Sequence, residues 1–241
     1  MNKYSWRNNI TAVASSTRAK IAVKTKETTW LQTDNPVIVL MSVHSDFHRG
    51  VAGDLKTNAL MSTIKTHVRG EITVLIADSA HINTLGLKTE RPLTVCKKDA
   101  VELASRYDEY FNGCYVAFWH SFIGNDKVYD VCRKAICELY NNDLEFKKQL
   151  YADAAACYSP IRAQEYPDKA QFIERTIEDL LEQCTCLLVI AEKGYRYQFY
   201  PGRSHASTEY VNKLLLPAEM QLSWIDLFLT IEKKTEMTCC K

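Results

Sequence analysis

Ser42 is the residue whose type and position point most directly to chemistry. It follows the apolar run Val37-Ile38-Val39-Leu40-Met41 and opens the polar stretch Ser42-Val43-His44-Ser45-Asp46. A hydroxyl at the end of a buried strand is held by a rigid element and can serve as a nucleophile toward a carbonyl carbon. The same position also suits a serine that caps the next helix or closes a turn. His44 and His48 stand nearby and invite a serine hydrolase reading. Against that reading, Leu40-Met41-Ser42-Val43-His44 lacks the G-x-S-x-G elbow. A base two residues from its own nucleophile also seldom reaches it, so surface or phosphate-contact roles fit both histidines better. Two further strand-like runs end at Asp78 and Tyr200. Ligands of parallel α/β sheets gather beyond the carboxyl ends of the strands, so topology alone nominates Ser42, Asp78 and Tyr200.

The elements that must position these residues follow from periodicity. The continuous apolar run 37–41 predicts a buried parallel strand, Ile72–Ala77 a second buried strand, and the apolar stretch 115–119 a short strand. Leu55, Ala59, Leu60 and Ile64 share one face of a helix over 53–67. A second helix is expected over 95–111 with Thr94 as N-cap, and a long amphipathic one over 126–151. Pro160 and Pro167 bracket a break. Asp168 then caps a long helix that runs to about Lys193 and ends at Gly194. Tyr195–Tyr200 reads as a strand stopped by Pro201-Gly202, residues 208–216 as a helix, and 223–232 as a last strand. Strand, helix and strand near the start form a βαβ unit. The expected fold is α/β, a parallel sheet with helices on both faces. The expected organisation is a partly ordered basic segment over 1–34, one catalytic domain over 35–235 and a tail over 236–241.

Composition bounds the function classes. The chain has 241 residues, 46% hydrophobic and 24% charged, with 8 Gly and 6 Pro. Such values belong to a globular protein, not to a disordered or repetitive one. The nine cysteines show no paired metal-ligand spacing and no disulfide framework, which predicts reduced thiols, a cytoplasmic setting and no metal. No apolar run approaches a membrane span and the first residues carry no signal-like apolar core. Formal net charge is only +1, so nucleic-acid binding would rest on local charge. Residues 1–34 carry Lys3, Arg7, Arg18, Lys20, Lys24 and Lys26 against Glu27 and Asp34.

Three stretches taken together resemble the tRNA-dependent cyclodipeptide synthases: Val39-Leu40-Met41-Ser42-Val43-His44-Ser45-Asp46-Phe47-His48-Arg49-Gly50, the helix Glu178-Asp179-Leu180-Leu181-Glu182-Gln183-Cys184, and Tyr195-Arg196-Tyr197-Gln198-Phe199-Tyr200-Pro201-Gly202. The segment Leu139-Tyr140-Asn141-Asn142-Asp143-Leu144-Glu145-Phe146 is similar to the family's helix before the catalytic one. The likeness runs from about residue 36 to 232. Tyr200-Pro201, with Ser45 where another subgroup carries asparagine, resembles the subgroup whose catalytic tyrosine precedes proline.

The resemblance implies a Rossmann-like fold similar to the catalytic domains of class I aminoacyl-tRNA synthetases. It implies two aminoacyl-tRNAs as substrates, a covalent seryl-enzyme at Ser42, a dipeptidyl-enzyme, and cyclisation to a diketopiperazine with Tyr200 passing a proton. The ribose hydroxyl beside the ester would relay the first proton. No cofactor is implied, and the sequence has no Gly-rich phosphate loop and no HIGH- or KMSKS-like motif. The family's helix carries Tyr-x-x-x-Glu to hold the substrate ammonium. Two registers are open here: Glu178 and Glu182, or Asp179 and Gln183. The first is preferred because it keeps the carboxylate. Leu40 is expected in the pocket for the first side chain, with Ser45 and Phe118 also at the substrate. The apolar character of Leu40 and Phe118 favours hydrophobic amino acids. Arg91, Lys97, Lys98, Arg133 and Lys134 are the expected tRNA contacts. The expected state is a monomer or weak dimer, and a tRNA-binding relative with altered catalysis is the alternative.

Overall fold

The computed structural model describes residues 9–12, 19–24, 32–43, 50–123, 127–200, 204–226 and 228–233. Along the chain come strands β1 (Asn9–Ala12), β2 (Ala19–Lys24) and β3 (Val37–Ser42), helix α1 (Gly50–His67), β4 (Ile72–Ala77), and helices α2 (Ile82–Leu85), α3 (Pro92–Arg106) and α4 (Asp108–Phe111). Next are β5 (Tyr115–Phe118), α5 (Trp119–Ile123), α6 (Lys127–Asn142), α7 (Leu144–Ala156), α8 (Pro160–Glu165) and α9 (Lys169–Glu192). Then follow β6 (Tyr197–Tyr200), α10 (Ala206–Leu215), β7 (Ser223–Asp226) and β8 (Phe228–Lys233).

Five strands make one parallel sheet in the order β5-β4-β3-β6-β7. Every residue of β3 and β4 is buried, as expected of parallel strands covered on both faces. Side chains alternate across a strand, and this alternation divides the core in two. Val37, Val39 and Met41 of β3 face Leu60 and Ile64 of α1 and Ala100 of α3. Ile38 and Leu40 face the other way, onto Ile136 of α6, Phe146 of α7 and Leu187 of α9. Ser42 continues the second parity, so its side chain belongs to the α9 face of the sheet. The α/β class and the helices on both faces agree with the expectation from sequence.

Helix α9 is the central packing element of that face. Its N-terminal half is amphipathic, while Cys184 through Ala191 are all buried. Asp168 caps its start, accepting from Gln171 N at 3.0 Å, and Gly194 follows its end at φ +90°, a left-handed conformation that glycine adopts without a Cβ penalty.

Three expectations need correction. The helix assigned to 95–111 starts earlier, with Pro92 in its first turn after Arg91, and stops at Arg106, so that Asp108–Phe111 is a separate short helix. The long helix over 126–151 is two helices, because Asp143 turns extended and caps α7 by accepting from Phe146 N at 2.8 Å. The last strand also divides. Ser223–Asp226 completes the parallel sheet, whereas Phe228–Lys233 pairs antiparallel with β2, which pairs in turn with β1.

The starts of β3 and β4 are held together through Thr33, whose carbonyl accepts from Arg69 N at 2.9 Å and Gly70 N at 3.1 Å. Gly70 permits that approach: a Cβ there would stand 2.3 Å from Asn35 O and 2.6 Å from Asp34 O. Backbone atoms cannot yield as a flexible side chain can. Gly70→Ala is therefore expected to destabilise the fold by about 1–3 kcal/mol, read as a lowered urea midpoint with an unchanged slope; an unaltered midpoint refutes the constraint.

Candidate functional site

Ser42 and Tyr200 end neighbouring parallel strands, β3 and β6, and both line one cavity of about 730 Å³ beyond the sheet's carboxyl edge. Ser42 is largely buried, at 8% exposure, yet borders the cavity. Its Oγ lies 3.1 Å from His81 Nε2. His81 follows β4, the strand paired with β3 on its other side in a register that sets Ser42 opposite Ala77. Gln183 and Asp179 of α9 and His205, the residue before α10, border the same space. Burial first, then the Cys157 side chain, hold the Tyr200 phenol above its ordinary value, so it stays protonated and able to donate. Burial lowers His205, opposed by Asp153, so the imidazole tends to neutrality.

A smaller recess of about 40 Å³ opens from Ser42 and is bordered by Leu40, Trp119, Leu187, Gln198, Tyr200 and Trp224. Strand parity explains it: Leu40, Gln198, Tyr200 and Trp224 all stand on the α9 face, opposite Phe199 and Ile225. Three polar atoms of its walls, Trp119 Nε1, Gln198 Oε1 and Trp224 Nε1, are buried without a hydrogen-bond partner. Such groups are costly to leave unpaired.

Asp179 is almost wholly buried. Its carboxylate accepts from Asn83 N at 2.9 Å, from Thr84 N at 3.1 Å and from the Thr84 hydroxyl, tying α9 to α2. Burial raises its carboxyl to about 6, although the Thr84 and Asn83 hydrogen bonds pull the other way.

The two registers of the α9 motif are thereby separated. Asp179 and Gln183, one turn apart, face the cavity. Glu182 turns to α6, accepting from Tyr129 Oη at 2.7 Å with Arg133 Nη1 at 3.9 Å. Glu178 pairs with Arg175 at 3.0 Å. One residue along a helix is a rotation of about 100°, enough to carry both glutamates off the cavity wall. The preferred placement of Glu178 and Glu182 in the site is corrected accordingly.

The remaining candidates are dispersed. Leu40 borders the recess, but Phe118 packs in the opposite core beside Val116 and borders neither cavity. Ser45, His44 and His48 lie outside the described residues. Asp78, fully buried, is occupied by His120, whose backbone N it binds at 3.0 Å and whose ring Nδ1 it also meets. Lys97 and Lys98 stand on α3 with Arg91 just before it, whereas Arg133 and Lys134 stand on α6. Lys98 and Lys134 each pair along their own helix, with Glu102 at 3.7 Å and Glu138 at 3.9 Å. Sequence reasoning missed His81, His205, Gln198, Trp119 and Trp224 as wall residues. Only His81 left a usable signal, closing the loop after the strand next to Ser42. No group of His, Cys, Asp or Glu among the described residues could hold a metal ion, and no described helix is long and apolar enough to cross a membrane.

The fold is Rossmann-like, with its polar cavity at the carboxyl edge of a parallel sheet. More narrowly, it is the fold of the cyclodipeptide synthases. A cyclodipeptide synthase from Fluoribacter dumoffii superposes with a TM-score of 0.77 at 15% identity, over 88% of this chain and 99% of that one. One from Candidatus Glomeribacter gigasporarum, solved bound to Phe-tRNAPhe, gives 0.62 at 15% identity over 86% and 92%. A Mycobacterium tuberculosis protein, whose structure relates cyclodipeptide synthetases to type I tRNA synthetases, gives 0.55 at 8% identity over 88% and 94%. No family model matches the sequence, and no curated protein does.

The Asp179 carboxyl has a testable consequence. Its folded value, about 6, lies above the 3.8 of an unperturbed aspartate, so the folded chain binds this proton more tightly than the unfolded one. Its contribution to stability is greatest below the unfolded value, falls as pH rises through the interval, and is level above the folded value. Relative to Asp179→Asn, the wild type is expected to lose about 2 kcal/mol of unfolding free energy between about pH 4 and pH 6. Parallel urea curves for the two proteins across that interval would contradict the shift.

Proposed function

We propose that the protein is a tRNA-dependent cyclodipeptide synthase that works through a seryl-enzyme. The observation that carries this reading is the convergence of Ser42, Tyr200 and Gln183 on one cavity, in a chain with the cyclodipeptide synthase fold. Ser42 Oγ attacks the ester carbonyl of the first aminoacyl-tRNA, forming an aminoacyl ester and releasing the terminal ribose hydroxyl. The amine of the bound residue then attacks the ester carbonyl of a second aminoacyl-tRNA, which leaves a dipeptide on Ser42 and frees the second tRNA. The remaining amine closes on the seryl ester, restores the Ser42 hydroxyl and releases the diketopiperazine. The protonated Tyr200 phenol supports the closing step as a proton donor.

The ammonium of the first aminoacyl group sits at Gln183, whose amide oxygen accepts from it, with the Asp179 charge one turn away. The recess beside Ser42 takes the first side chain. Its size, and its buried unpartnered atoms of both donor and acceptor type, favour a compact side chain with a hydroxyl or carboxamide over a large apolar one. The tRNA lies along Arg91, Lys97 and Lys98, at and just before α3. A protein that consumes charged tRNA works in the cytosol.

One feature favours a second reading. Gln183 is neutral where the family's helix has a carboxylate, as a tRNA-binding relative with weakened catalysis would show.

Incubation with charged tRNAs, followed by trapping and mass spectrometry, tests the proposal. The expected results are an acyl adduct on Ser42 and diketopiperazines rich in small polar residues, both lost in Ser42→Ala. Gln183→Ala is expected to reduce product on the order of a hundredfold through the lost ammonium contact, while Glu182→Ala retains it. Adduct without product identifies the weakened relative; bound tRNA without adduct sinks the synthase reading. Phosphate contacts by the basic residues also predict a steep salt dependence. The affinity for tRNA should drop on the order of tenfold between 50 and 200 mM salt, and a flat response counts against that surface.

A further inference from the structure

We infer that His81 is the base that takes the proton of Ser42, so that the enzyme, and not the substrate ribose, activates its nucleophile. This inference rests on the seryl-enzyme reading above. A serine hydroxyl is a weak nucleophile at neutral pH and becomes effective when a positioned base accepts its proton as the new bond forms. His81 Nε2 stands 3.1 Å from Ser42 Oγ, within the reach such a transfer requires.

The pair is built by the sheet. β3 and β4 are parallel neighbours, with Ser42 in register with Ala77. The turn after β4 carries His81 back over the end of β3, which brings an imidazole from one strand's exit to the hydroxyl at the next. That turn is fastened at both ends. Asp78 N bonds to Ile76 O at 2.9 Å, and the Asp78 carboxylate is held by His120. Beyond the turn, Ile82 N bonds to Ser79 O at 3.2 Å and Leu85 N to His81 O at 3.0 Å. The buried Asp179 carboxylate grips Asn83 N and Thr84 N from α9. Asp179 is thus a positioning residue: it fixes the backbone that presents the imidazole.

The step balances without a further reactant. The Ser42 O–H proton passes to His81 Nε2 as the bond from Oγ to the acyl carbon forms. When the ester bond to the ribose breaks, the imidazolium gives its proton to the departing 3′-oxygen. Neutral His81 is restored for the second half of the cycle. The adjacent 2′-hydroxyl is not needed as a proton carrier, which separates this mechanism from the one the family resemblance implies.

The experiment measures single-turnover acylation of Ser42 by mass spectrometry, with wild type, His81→Gln and His81→Asn. Three acyl donors are used: charged tRNA, the same tRNA ending in 2′-deoxyadenosine, and an activated aryl ester of an amino acid. Both variants are expected to acylate on the order of a hundredfold more slowly from every donor, with tRNA affinity unchanged. The wild type is expected to use the 2′-deoxy donor within about tenfold of the natural one, since the base is on the protein. Wild-type acylation rates in either variant overturn the inference. So does the collapse of wild-type acylation on the 2′-deoxy donor, a result that requires no altered protein to fold. The aryl ester separates the two levels of the argument. His81-dependent labelling of Ser42 by the ester, with no adduct from charged tRNA, upholds the Ser42–His81 pair and removes the cyclodipeptide reading.

Discussion

The packing of α9 across one face of the parallel sheet is the constraint on which the site depends. Parallel strands covered on both sides leave no room for polar side chains along their length, and β3 and β4 have none exposed. Chemistry is displaced to where the strands stop and the covering helix still passes. Ser42 is the first residue of β3 that meets those terms. It keeps the parity of Ile38 and Leu40, so it points toward α9, but it lies at the edge, where a cavity opens. Tyr200 meets the same terms on β6 and Gln183 on the helix itself. A sheet of opposite parity would bury the hydroxyl against α1 and α3, with the same sequence motif and no site.

The second constraint is the cost of burying Asp179. An isolated carboxylate at that depth would be protonated or excluded. Here two amides and a hydroxyl from the next turn of chain accept the role of solvent, and burial still outweighs them, raising the carboxyl to about 6. The exchange is mechanically useful. The hydrogen bonds that make the charge tolerable join α9 to α2, and α2 continues directly from His81. Local stability and the placement of the imidazole therefore rest on the same contact.

Much of the architecture was legible because it rests on periodicity and caps. The apolar runs at β3, β4 and β5, the Asp168 cap and the Gly194 stop of α9 are written in adjacent residues. The break between α6 and α7 was missed because Asp143 is a polar residue in a helical pattern, and only its bond to Phe146 N reveals a cap. The division of the last strand depends on β2, a partner about two hundred residues earlier, and no local signal carries that pairing. The site was half legible for the same reason. Ser42 and Tyr200 follow from strand ends. The helical register does not, since Glu178/Glu182 and Asp179/Gln183 have the same spacing, and only the direction of α9 against the sheet chooses between them. His81 is 39 residues from Ser42 in the chain, and no local pattern links the two. Its proximity is a property of the neighbouring strand.

The register also redistributes charge in a way the motif alone conceals. Glu182, the carboxylate that a residue-type argument selects, is occupied by Tyr129 and faced by Arg133 on the side of α9 turned to α6. It anchors helix to helix. The cavity wall receives a neutral amide at Gln183 and, one turn earlier, an acid whose oxygens are committed to α2. An ammonium drawn into this space meets an oriented carbonyl dipole and a nearby charge instead of a direct carboxylate contact. A charge held one turn away attracts without forming the short ion pair that would bind an amine tightly. In the proposed cycle that amine later leaves its cradle to attack an ester, and a softer hold lowers the cost of releasing it. The departure from the expected acid is thus consistent with turnover, provided the cavity keeps water away from the ester while the amine moves.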